Sequence, residues 1–139
     1  MYTIESAGPA LTGGELALLG LVPVLTGLQF QGDVAVKPGT GMRRGTRGPV
    51  PAEGVVVVRG EVGRNTHRLL AAGPCTWARN PLAGRVADDL VIGALHVPPG
   101  ATAYLHHPEH GYLGIGPGDY AVRRQRQYVA PALVVYVED

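Results

Sequence analysis

Glycine and proline recur along this chain at intervals too short for long helices to form. There are 21 Gly and 12 Pro among 139 residues, and inside a helix each Gly costs roughly 1 kcal/mol and each Pro roughly 3 kcal/mol relative to Ala. The runs between them are short and rich in Val, Leu, Thr and Tyr. Residues 28–37, 55–62, 68–72, 75–78, 90–97, 101–107, 112–115, 120–129 and 133–137 read as strands, with turn signals between them. Residues 28–37 are read as one strand alternating around Gly32-Asp33. Residues 68–72 and 75–78 are read as two halves of one strand broken at Gly73-Pro74, and 120–129 as the longest alternating segment. About nine short strands with no room for crossover helices predict an all-β fold, a single antiparallel β-sandwich or barrel.

The chain is long enough for one core, and a second domain is not expected. Residues 1–28 differ from the rest: Gly8-Pro9, Gly13-Gly14, Gly20 and Pro23 interrupt any helix, and no Lys or Arg is present. Leu16, Leu18, Leu19, Leu21, Val22, Val24 and Leu25 are too apolar to leave in water, so this extended N-terminal arm must pack on its own domain or on a neighbouring subunit. The division is an arm over 1–28 and a β domain over 29–139. The apolar run at 16–25 lacks the preceding positive charge of a signal peptide and is shorter than a membrane span. A cytoplasmic or virion-associated protein without signal peptide or transmembrane segment is expected. Cys75 stands alone, which excludes an intrachain disulfide and a cysteine-built zinc site within one subunit.

A net charge of +1 gives no bulk electrostatic attraction to nucleic acid or membranes, so chemistry must be sought in local clusters. His106, His107, Glu109 and His110 crowd around Pro108, with His67 and His96 elsewhere. Imidazoles and a carboxylate suit a transition metal such as zinc, and His67, His107, Glu109 and His110 are the candidate metal set. Strand alternation places His106 and His107 on opposite faces, which leaves one of them plus His110 across the turn as the feasible pair. The leading reading of the cluster is a polar turn with solvated histidines and no cofactor, and the metal site is the alternative to it.

Arg123, Arg124 and Arg126 lie in the longest alternating segment, where Tyr120, Val122, Arg124, Arg126 and Tyr128 share a face. If that face is inner, Arg124 and Arg126 need carboxylate partners, and Glu61, Glu109 and Asp119 are the candidates. If it is outer, Tyr and Arg form an interface or a surface that stacks on bases. Arg43, Arg44 and Arg47 sit in a Gly-rich loop able to approach an anion, although the phosphate-loop motif is absent. Ser6 lies in the arm rather than at a nucleophile elbow, and Cys75 beside Trp77 reads as a buried thiol.

Gln31-Gly32-Asp33-Val34, Gly60-Glu61 with His67, His107-Pro108-Glu109-His110 and the run from Gly118-Asp119-Tyr120 to Arg126-Gln127-Tyr128 together resemble small uncharacterised all-β proteins of bacterial and phage-associated contexts. The resemblance spans about residues 29–128 and leaves the arm outside. Asn65 stands where the pattern has a histidine, and Gln127 where it has Glu. It implies a shared β fold and a shared polar cluster, and brings no activity with it.

Taken together, these features predict a non-enzymatic structural or interaction module that self-associates into a homo-oligomer or larger assembly, as a coat, filament or decoration subunit does. The alternatives are a His/Glu metal-binding β-barrel or metal-dependent enzyme, and a single-strand nucleic-acid-binding module. No membrane partner is expected, and nucleic acid is the least favoured partner.

Overall fold

The computed structural model describes residues 20–39, 46–59, 66–81, 91–130 and 133–136. Among them every regular element is a strand, and no helix is long and apolar enough to cross a membrane. One sheet contains β1 (Val24–Leu25), β10 (Gly111–Ile115), β9 (Thr102–His107), β6 (His67–Ala72) and β5 (Val55–Val58), in that spatial order. The other runs β2 (Gln29–Gln31), β3 (Val34–Pro38), β11 (Gly118–Arg124), β8 (Val91–Val97), β7 (Thr76–Arg79) and β4 (Gly48–Pro49). A separate hairpin pairs β12 (Arg126–Ala130) with β13 (Leu133–Tyr136). The architecture is a sandwich, with neither sheet closed into a barrel.

Three sequence expectations change here. Residues 28–37 form a hairpin rather than one strand, because Gly32 takes a positive φ of 55° and lets the chain reverse in two residues between Gln31 and Val34. The segments at 68–72 and 75–78 belong to different sheets: Gly73, at φ 101°, and Pro74 carry the chain across the sandwich. The long segment at 120–129 breaks at Gln125, whose N–H is taken by the Asp33 carbonyl at 3.0 Å, and β12 then leaves to pair with β13.

Alternation fills the space between the sheets. Val34 and Val36 of β3, Tyr120 and Val122 of β11, Leu95 and Val97 of β8 and Trp77 of β7 face Leu69 of β6, Ala103 and Leu105 of β9 and Ile115 of β10. The outer face of the first sheet is covered in part: Leu70, Ala72 and Tyr104 make a second cluster with Val22 and Tyr112 packed against it. Val22 therefore fastens the root of the arm to that outer face. The adjoining β1 runs parallel to β10, with the Gly116 N–H donating to the Leu25 carbonyl at 2.9 Å. Gly114 permits this approach, since a Cβ there would lie 2.6 Å from the Pro23 carbonyl oxygen.

Polar side chains tie the two sheets together at both ends. The Gln29 amide donates to the Gly114 carbonyl at 2.8 Å, while Gln31 donates to the Leu105 and Gly111 carbonyls at 2.8 and 3.0 Å. At the opposite end Arg79 of β7 donates to the Val56 and Val57 carbonyls of the edge strand β5. Capping these carbonyls also leaves β5, a run of four valines, a poorer template for pairing with another chain.

Candidate functional site

The polar centre of the molecule is built from the β2–β3 turn, the start of β6 and the end of β11. Gln31 gives both amide hydrogens to backbone carbonyls, so its Oε1 is an acceptor, and it faces Nδ1 of His67 at 3.0 Å. Nε2 of the same ring faces Oδ1 of Asp33 at 3.1 Å, and Oδ2 of Asp33 accepts from Arg124 at 2.7 Å. His67 is fully buried and the Asp33 side chain is 5% exposed, whereas Arg124 keeps 35% of its side chain in solvent. Both His67 nitrogens thus face oxygen atoms, the amide oxygen of Gln31 and the carboxylate of Asp33. Buried charge is tolerated here because it is paired and hydrogen-bonded from each side.

A row of imidazoles leads outward from this centre. The His67 and His107 rings lie 4.6 Å apart, and the His107 and His110 rings 4.5 Å apart. His107 is buried at the end of β9, and its Nδ1 accepts the backbone N–H groups of Glu109 and His110 at 3.0 and 3.2 Å. It therefore caps the turn that Pro108 opens. His110 and Glu109 are exposed. The structure sets the His67, His107 and His110 rings in one row, with Glu109 exposed in the turn beside them. Among the described residues no three His, Cys, Asp or Glu side chains form a group that could hold a metal ion. His106 lies on the other face of β9, stacked on Tyr112 with ring centroids 4.5 Å apart, as alternation predicts.

Arg124 also reaches the molecular surface. On the outer face of the second sheet, register places Phe30, Ala35 and Arg123 in one cross-strand row. These residues, with Leu28, Lys37, Arg124 and Gln125, line a groove of about 320 Å³. Gln125 is pinned by its side-chain bond to the Gly32 carbonyl at 3.3 Å and Arg124 by Asp33, so the buried network holds one wall of the groove in place.

Residues 30–125 match the family model described as Domain of unknown function (DUF8820). The chain belongs to the DUF8820 family. Comparison with the curated proteins and with the solved structures returned no match. The DUF8820 match includes Gln31, Asp33, His67, His107, His110 and Arg124, and it leaves the arm and the β12–β13 hairpin outside.

Within the DUF8820 domain the remaining sequence candidates separate. The Tyr120 face is inner, so Tyr120 is buried with its hydroxyl donating to the Gly116 carbonyl at 2.8 Å, and it cannot stack on a base. Arg124 on that face does take a carboxylate, but the partner is Asp33 rather than Glu109 or Asp119. Asp119 instead pairs with His96 at 2.8 Å on the surface. Glu61, Arg43, Arg44, Leu16, Leu18 and Leu19 lie outside the described residues, as do the side chains of Arg126 and Tyr128. Arg47 is exposed ahead of β4. Cys75 is buried, and desolvation pushes its thiol up to about 11. Sequence reasoning missed Gln31 and Asp33 because reading 28–37 as a continuous strand hid the turn; the Gln31-Gly32-Asp33-Val34 motif was the available signal.

Proposed function

We propose that this protein is a non-enzymatic structural or interaction module that self-associates through its arm. One observation carries the reading: Leu21, Val24, Leu25, Leu28 and Phe30 are 81, 45, 53, 52 and 55% exposed, and they are the exposed large apolar side chains among the described residues. Their concentration in one short segment marks a surface that another molecule covers. The polar network supports the same reading, since its hydrogen bonds close a hairpin turn, a strand end and the turn after β9.

Covering these five side chains, four of them about half buried and Leu21 mostly exposed, contributes on the order of 5 kcal/mol. Association costs roughly 4–15 kcal/mol in lost freedom. The strip alone is therefore marginal, and a lasting contact draws on further groups. Sedimentation velocity over a wide concentration range tests the proposal. Species heavier than the monomer are expected, shifting toward monomer in the Leu21→Ser/Leu25→Ser/Phe30→Ser variant. A monomer at every concentration rejects it.

A further inference from the structure

We infer that the groove on the outer face of the second sheet is the receptor for the N-terminal arm of a second copy of this chain. The inference rests on the self-association reading and names the two surfaces that meet. The groove presents Leu28, Phe30 and Ala35 as its apolar part, with Lys37, Arg123 and the half-exposed Arg124 beside them. Among the described residues no carboxylate lines it, and neither Lys37 nor Arg123 is within ion-pair distance of one. Two uncompensated cations beside an exposed Phe and Leu select an occupant that is apolar and acidic together.

Residues 1–19 have that chemistry: they contain Glu5 and Glu15 and no Lys or Arg, and Leu16, Leu18 and Leu19 follow the second Glu. A pairing of two identical grooves face to face is disfavoured, because it would set Lys37 and Arg123 against themselves. The self-association reading makes the occupant the arm of a second copy rather than of the same chain. Val22 packs on Leu70, Ala72 and Tyr104, on the outer face of the first sheet, whereas the groove lies on the outer face of the second. The arm root at Val22 thus lies on the face of the sandwich opposite the groove, so docking on the same chain would require the arm to pass around the sandwich edge. Such an arm-in-groove contact closes as a two-fold dimer when two chains exchange arms, and otherwise builds a ring or an open filament.

The test is sedimentation velocity on the full chain with two charge reversals, Lys37→Glu/Arg123→Glu in the groove and Glu5→Lys/Glu15→Lys in the arm. Each variant alone is expected to lose roughly tenfold in association, as exposed pairs turned to repulsion do, with the wild-type affinity falling as salt rises. Mixing the two restores association, because each arm then meets a groove of opposite charge. If wild type associates and the groove reversal changes nothing, the receptor assignment is wrong while self-association stands. If wild type is monomeric and the reversals alter only the groove's own resonances, the arm docks within its own chain and the inference fails. If wild type is monomeric with no such change, both proposals fall. Should a variant not fold, titrating wild-type protein with a synthetic peptide of residues 1–19 decides: shifts at Phe30 and Lys37 support the assignment, and none overturns it.

Discussion

Replacing Asp33 with Ala removes the group on which the polar centre converges, and the structure sets the size of the loss. Asp33 accepts from His67 Nε2 at 3.1 Å and from Arg124 at 2.7 Å. His67 is fully buried, so its abandoned donor has no access to solvent, which costs roughly 1–3 kcal/mol. Arg124 is 35% exposed and can turn outward, so its share is about 1 kcal/mol or less after screening. The expected loss is about 1–4 kcal/mol, or a fall of roughly 3–12 °C in Tm for a domain of this size. Trp77 is the sole tryptophan and is buried, so its fluorescence during urea unfolding reports the transition directly. Asp33→Asn keeps an acceptor for His67 and is expected to lose about half as much, while Arg124→Gln loses about 1 kcal/mol. The reasoning fails if Asp33→Ala unfolds within about 0.5 kcal/mol of wild type. It fails equally if Arg124→Gln costs as much as Asp33→Ala, since the guanidinium would then outweigh the imidazole.

Three further outcomes follow from particular contacts. A Cβ at Gly93 would strike the Trp77 ring and lie 2.7 Å from the Ala78 carbonyl oxygen, so Gly93→Ala is expected to destabilise by about 1–3 kcal/mol and to shift Trp77 emission; wild-type emission and stability would contradict the packing. The Gln31 amide oxygen only accepts, so nitrogen-15 spectra of the His67 ring should show a proton on Nδ1, and a bare Nδ1 would refute the Gln31 assignment. Burial raises the Cys75 thiol from 9.0 to about 11, so between those values the unfolded chain binds fewer protons than the folded one, and stability falls as pH rises. Cys75→Ala should flatten that part of the curve, and an unchanged slope would assign the loss elsewhere. Tyr104 and Tyr120, also raised by burial, act with the same sign at higher pH.

Strand content was legible because alternation and breakers are local properties. Tyr120 and Val122 were recognisable as sharing one face, and the split between His106 and His107 followed from the two-residue period alone. The need of Arg124 for a carboxylate was also readable, since an inward guanidinium demands one. Its partner was not, because 91 residues separate Arg124 from Asp33, and only the pairing of β3 with β11 brings them together.

The sequence by itself determined that this chain is all-β, that its arm is apolar and that its histidines crowd beside Pro108, because each rests on neighbours along the chain. Tertiary structure alone decided that residues 28–37 fold into a hairpin, that Gly73-Pro74 joins two sheets, and that His67 meets Gln31 and Asp33. It also placed Phe30 and Arg123 in one row and the arm root on the opposite face. These are consequences of register and layer stacking, which depend on which strands pair, and no local pattern specifies that.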